Sequence, residues 1–233
     1  MPRTYLPHSY LEGFGATGPE TAGSPAVWVY RAAIGEWKCA PVAGDGSAGR
    51  HFNRVEDSDL HRAPDLDQAL ADIEEGAAEL VAGKLARRQS LAGAERALLA
   101  SFFALLGVRL SPRFAQIAEG EARAGYQALA AVLAEMGWVL WEAEPPLHFI
   151  TSSSPLLVAF PRREEQIGPD VDIHSQSAEV TLPLSSTLAL HATWKRVGEL
   201  WRRAGDDALL EINGRTCQRA RAFLVSPRPA VPG

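Results

Sequence analysis

The stretch Ala97-Leu98-Leu99-Ala100-Ser101-Phe102-Phe103-Ala104-Leu105-Leu106-Gly107-Val108, flanked by Arg96 and Arg109, is apolar on nearly every helical face. A helix of this kind, predicted over 94–110, must be covered by neighbours on most sides, which places it at the centre of the core. It is too short to span a bilayer. Elements of the same type stand on either side. Upstream, Leu66, Leu70, Ile73, Ala77, Leu80 and Val81 keep helical spacing behind Pro64 and a capping Asp65, so a helix with one apolar face is expected from about residue 65. Downstream, Ser111-Pro112 provides an N-cap and a first-turn proline, and Phe114, Ile117, Tyr126, Leu129, Val132 and Leu133 carry a third helix toward Gly137.

Strand signals flank this helical middle. Ala26-Val27-Trp28-Val29-Tyr30-Arg31 and Trp37-Lys38-Cys39-Ala40-Pro41-Val42, joined through Ala33-Ile34-Gly35-Glu36, read as a hairpin. The glycine-rich segment 43–49 reads as a loop and lacks the Gly-Lys-Ser/Thr of a phosphate cradle. After the helices, the stretches 138–143, 147–151, 156–160, 179–184 and 187–192 are short, β-branched or aromatic, and separated by Pro, Ser or Gly. Residues 161–177 form a charged loop. A last helix is expected over 207–223, weakened by Asn213-Gly214, with a closing strand at 222–226. No regular β-α-β alternation is visible, so the expected class is α+β, a central core of three long helices packed with a mostly antiparallel sheet of short strands. The 233 residues read as one domain: hairpin and loop over 1–64, helices over 65–137, strands over 138–193, and a C-terminal helix and strand over 194–227.

Composition narrows the function classes. The net charge is −5, yet 194–233 carries eight basic and four acidic residues, which leaves −9 on the rest. Such a balance argues against general nucleic-acid binding while leaving the C-terminal basic residues as a contact surface, although a charge run of this kind is usually a solvated face. Two distant cysteines, Cys39 and Cys217, read as reduced thiols, and no segment resembles an export signal. The expected setting is cytoplasmic, away from membranes. His51, His61, His148, His174 and His191 show no metal-ligand spacing, so neither metal nor cofactor is expected.

Polar groups collect at Leu147-His148-Phe149-Ile150-Thr151-Ser152-Ser153-Ser154-Pro155, where an apolar run meets a hydroxyl-rich turn closed by proline. Without a G-x-S-x-G elbow, serines in such a turn mostly satisfy local backbone groups. Arg109, at the end of the apolar helix, suits either an anion or the last carbonyls of that helix. Glu74, beside Ile73, faces the boundary of the core, and a Glu74–Arg109 pair would serve equally as scaffold or as part of a cleft. His8 is a base or ligand in one reading and a capping residue in the other. The six tryptophans line an aromatic pocket or simply pack.

Thr4-Tyr5-Leu6-Pro7-His8-Ser9-Tyr10-Leu11-Glu12-Gly13-Phe14 resembles the H-Y-V-P-Q-x-Y-L-x-x-F opening of the domain of unknown function 4238 family, which is mainly bacterial. Val27-Trp28-Val29-Tyr30 resembles its first strand, Ile73-Glu74 its glutamate-bearing helix, Arg109-Leu110-Ser111-Pro112 its R-T-P step, and Phe149 to Pro155 its F-I-T-S-D-N-P turn. Leu182-Pro183-Leu184-Ser185 and Ile212-Asn213 resemble later landmarks. The resemblance implies a scaffold and a place to look: ligand contacts from Tyr5, His8, Arg109, Ser152, Ser153 and Asn213, with Glu74, Arg109 and His8 as catalytic candidates. It also departs from the pattern. Thr4 replaces a histidine, His8 a glutamine, and Ser153 and Ser154 an acid and an amide, so an imidazole and a carboxylate are missing. Neither threonine nor serine replaces a general base at neutral pH.

Two functions fit these residues. The first is a binding or interaction module whose enzyme-like cleft holds a small anionic or polar ligand or a protein partner. The second is a divergent hydrolase of phosphoesters or nucleic acid, with Glu74 as carboxylate, Arg109 as charge stabiliser and His8 in place of the lost imidazole. Both expect His8, Glu74, Arg109 and Ser152 around one open pocket.

Overall fold

The computed structural model describes residues 6–15, 25–31, 34–42, 64–109, 119–159, 173–196, 198–220 and 222–229. The apolar run that opens the sequence reading lies in helix α3 (Gly93–Arg109), which follows α1 (His8–Glu12) and α2 (Pro64–Glu79) and precedes α4 (Glu119–Glu135). Its first turn is fixed by Glu95, whose Oε2 accepts the Ala92 N–H at 2.8 Å while its Oε1 pairs with Lys84 Nζ at 2.5 Å. Leu99, Ala100, Phe103, Leu105 and Leu106 are each at most 1% exposed, because α2 and α4 flank the helix and sheet residues close over it. Burial on all sides is what an apolar helix without a polar face requires.

The chain is mixed helix and sheet, as expected, but its strands divide between two sheets where the sequence reading has one. Strands β1 (Ala26–Arg31), β2 (Glu36–Pro41), β4 (Thr151–Ser152) and β9 (Phe223–Ser226) form a sheet in the order β2-β1-β9-β4. Strands β3 (Gly137–Glu142), β5 (Leu157–Ala159), β6 (Glu179–Pro183), β7 (Leu188–Thr193) and β8 (Glu199–Arg203) form the other, in the order β5-β6-β7-β3-β8. The β1–β2 hairpin turns at Gly35, whose φ of +74° is one that L side chains rarely adopt. Val27, Val29 and Val225 from the first sheet and Trp138, Leu140, Val180, Leu182 and Leu190 from the second join one continuous core with the helices. Helix α5 (Asp206–Arg219) covers the opposite face of the second sheet through Ile212, which packs in a smaller cluster with Ala143, Phe149, Ala189 and Ala204.

Other departures have local causes. Strand β8, absent from the sequence reading, pairs parallel to β3 at the sheet edge, where Glu199, Arg202 and Arg203 obscure its β pattern. Its place is secured by Arg96. That guanidinium stacks 4.0 Å from the Trp138 ring centroid, reaches Glu199 Oε1 at 3.3 Å, and donates to the carbonyls of Ala134 and Met136 at the end of α4. The expected strand over 147–151 shrinks to Thr151–Ser152, because a side chain replaces its ladder partner. Asn213 Oδ1 accepts the Ile150 N–H at 3.1 Å and Asn213 Nδ2 donates to the His148 carbonyl at 3.0 Å, so one amide mimics a peptide group of a neighbouring strand. The same amide explains why Asn213-Gly214 does not break α5: the residue that weakens a helix locally is held by tertiary bonds. The loop expected at 43–49, the 161–172 part of the charged loop and the Ser111-Pro112 start of the third helix lie outside the described residues.

Candidate functional site

Helix α1 brings the amino-terminal residues onto the core. Tyr10 OH donates to the Pro183 carbonyl at 2.6 Å and meets Thr151 Oγ1 at 2.8 Å, so one phenol ties α1 to both sheets. Burial holds that phenol above its ordinary pKa. Ser9 Oγ donates to Glu74 Oε1 at 2.7 Å, which fastens α1 to α2 through one of the predicted catalytic candidates. His8 is exposed on α1. Tyr5 and the Arg109 side chain lie outside the described residues.

The serine turn is sealed. Ser152 is fully buried and Ser153 is 2% exposed. Ser152 Oγ accepts the Ser154 N–H at 3.1 Å and Ser153 Oγ the Ala222 N–H at 3.0 Å, so both hydroxyls satisfy backbone donors. Asn213 is engaged with the preceding segment as described above. Nearby, His148 Nε2 lies 3.2 Å from Ser226 Oγ, but Ser226 is fully buried as well. Of the residues expected around one pocket, Glu74 joins α1, whereas Ser152, like Ser153 and Asn213, builds the turn that holds the first sheet to α5. Trp138 and Trp194 pack likewise. Trp138 Nε1 donates to the Leu133 carbonyl and Trp194 Nε1 to that of Ile173, both at 2.8 Å.

An open cleft of about 450 Å³ lies beside α1. Its walls come from α1 (Ser9, Tyr10, Glu12), the end of α2 and its continuation (Ala77, Val81, Ala82), the end of β3 (Glu142, Glu144) and the β6–β7 turn (Leu184, Ser185, Leu188). The α2 wall is irregular. Its helix widens into a π turn at Leu80–Lys84, tightens into a 3₁₀ turn at Leu85–Arg87, and stops at Arg88, a left-handed residue with φ 56° and ψ 33°. A π turn and a left-handed non-glycine residue both cost local stability and cluster at functional sites. Alanines on this wall leave room that larger side chains would fill. The polar rim is mostly acidic. Arg88 Nε and Nη2 reach Glu142 Oε1 and Oε2 at 2.9 and 2.5 Å, a bidentate pair, and Glu144 Oε1 meets Arg203 at 2.8 Å.

A second polar cluster sits between β6, β7 and α5. Glu179, which is 7% exposed, has Lys195 Nζ at 2.8 Å, Arg215 Nη2 at 3.5 Å, and His191 Nε2 at 3.3 Å in poor alignment for a hydrogen bond. Arg215 also pairs with Glu211. Burial raises the Glu179 pKa, but the polar contacts and charges of His191 and Lys195 outweigh it and hold the carboxyl at about 2. Two cations and an imidazole around one buried carboxylate make a structural knot, and it also neutralises part of the C-terminal basic excess.

Sequence reading did not single out Ser9, Arg88, Glu142 or Glu179 as site residues. For Glu142 a signal exists, a carboxylate closing the apolar run Trp138-Val139-Leu140-Trp141. Arg88 has none, because its role depends on a left-handed turn that its neighbours do not announce. Among the described residues no helix is long and apolar enough to cross a membrane, and no group of three or more His, Cys, Asp or Glu side chains is arranged to hold a metal ion. Comparison with protein-family models, curated proteins and solved structures finds no match to this chain.

Proposed function

We propose that this protein is a cytoplasmic binding module, a three-helix core carrying mostly antiparallel strands, whose cleft beside α1 takes a small, partly apolar molecule with polar ends. The observation that carries this reading is the cleft itself: about 450 Å³ of open space with apolar walls and a few charged groups at its rim, within the range that small-molecule sites occupy. Its wall contains the strained Arg88 and the π turn, features that fold stability alone does not favour. A concave hollow of this size suits a small molecule better than a protein surface or a nucleic-acid backbone. Basic residues of the C-terminal end are also already paired, Lys195 and Arg215 with the buried Glu179 and Arg203 with the exposed Glu144. The hydrolase reading, built on Glu74, Arg109 and His8, is less favoured because its carboxylate, Glu74, is bonded to Ser9. The resemblance to the domain of unknown function 4238 family belongs to the same proposal as a shared scaffold and contributes no activity to it.

A thermal-shift screen of small molecules against the wild type and Ala82→Trp tests the reading. A ligand at a hundred times its Kd stabilises by about 2.7 kcal/mol, a rise in Tm of about 5–10 °C for a domain of this size. The indole of Ala82→Trp, placed on the helical wall, should remove that rise. Hits that stabilise both proteins equally, or a screen that yields none, would refute the cleft as the functional site.

A further inference from the structure

We infer that the ligand of this cleft carries a guanidinium or primary ammonium group, and that Arg88 is its intramolecular stand-in on Glu142. The inference rests on the cleft being a binding site and adds the chemical class of what it binds. Among the described residues, the carboxylates of Glu12, Glu142 and Glu144 line the cleft with the guanidinium of Arg88, and Arg203 pairs with Glu144 at the rim, so the acidic groups exceed the cations by one. That balance favours a cation over an anion, so of the ligands expected from the sequence the anionic one is the less suited.

Glu142 is the centre of this arrangement. It ends β3 with its side chain 19% exposed, next to Ala143 and Leu188 of the apolar wall, and it needs a cationic partner. The chain provides one of its own. Arg88 presents Nε and Nη2 to the two carboxylate oxygens in the paired geometry that a guanidinium-bearing ligand would adopt. Its own hold is loose, because the side chain is 55% exposed and reaches the cleft from the end of a helix. The backbone at Arg88, with φ 56°, would accept glycine with less strain, so the local conformation does not account for arginine there. A competing cation can displace an exposed side chain into water and keep Glu142 paired throughout. The carboxylate of Glu12 and the apolar wall suit a second positive group joined to the first by a short aliphatic chain.

Isothermal titration with agmatine, which joins a guanidinium to an ammonium through four methylenes, and with the dianion glutarate tests this on the wild type, Arg88→Gly, Glu142→Gln and Ala82→Trp. Arg88→Gly suits the left-handed backbone and removes the competitor, so agmatine should bind it about threefold more tightly, the worth of an exposed ion pair. Glu142→Gln should weaken agmatine at least roughly tenfold, Ala82→Trp should abolish its binding, and glutarate should not bind. Glutarate binding that is lost in Arg88→Gly would overturn the inference while leaving the cleft as a site. Agmatine binding insensitive to Glu142→Gln, or none to the wild type and Arg88→Gly at millimolar concentration, would also overturn it; the screen with Ala82→Trp judges the cleft independently.

Discussion

Glu179→Gln removes the negative charge at the centre of the knot formed with His191, Lys195 and Arg215, and its effect should depend on pH in a defined direction. The carboxyl titrates at about 2 in the folded chain against an ordinary value of 4.5. A folded-state pKa below the unfolded one means that the unfolded chain takes up the proton first, so the stabilisation is complete above 4.5 and is lost as the pH falls toward 2. At about 1.4 kcal/mol per unit the shift corresponds to roughly 3 kcal/mol at most, and solvent reaching the exposed Lys195 brings this nearer 2 kcal/mol. By linkage, roughly 40% of that remains at pH 3. Urea unfolding of wild type and variant at pH 5.5 and pH 3 measures it as the difference between the two proteins, which cancels titrations they share. The wild type should lead by about 2 kcal/mol at pH 5.5 and by about 1 kcal/mol at pH 3. A gap that stays constant or widens on acidification would show that the carboxylate is not held by these groups.

Two further substitutions address how the segments around the site are joined. Tyr10→Phe keeps the ring but leaves the buried Pro183 carbonyl and Thr151 hydroxyl without their partner, at a cost of about 1–3 kcal/mol; differential scanning calorimetry should show Tm lower by roughly 3–8 °C. Asn213→Ala removes both bonds to the 148–150 backbone and should cost about 2–3 kcal/mol, with faster amide exchange at Ile150 and unchanged affinity for any cleft ligand. Lost affinity at unchanged stability would instead return Asn213 to the binding residues.

Much of the fold was legible because it rests on local pattern. The boundaries of α3 follow from its apolar composition between two arginines, and the β1–β2 hairpin follows from alternation interrupted by Gly35. Strand β8 was not legible, since an edge strand rich in charge has no periodicity of its own and is held by Arg96 and by pairing with β3. The short β4 was misread for the converse reason: residues 147–150 have strand composition, but the amide of Asn213, from a distant helix, takes the His148 carbonyl and the Ile150 N–H.

The candidate site shows the same division. Composition and periodicity by themselves determined that this chain folds as helices and strands around an apolar centre, because burying apolar surface is a property of residue type and spacing. Only the tertiary structure decided which polar groups face solvent. The hydroxyl-rich turn, conspicuous in the sequence, is consumed by its own backbone, whereas Arg88 and Glu142, far apart and inconspicuous, meet across a hollow. A polar side chain is free for chemistry only where the surrounding chain leaves it unspent, and that depends on neighbours brought together in space.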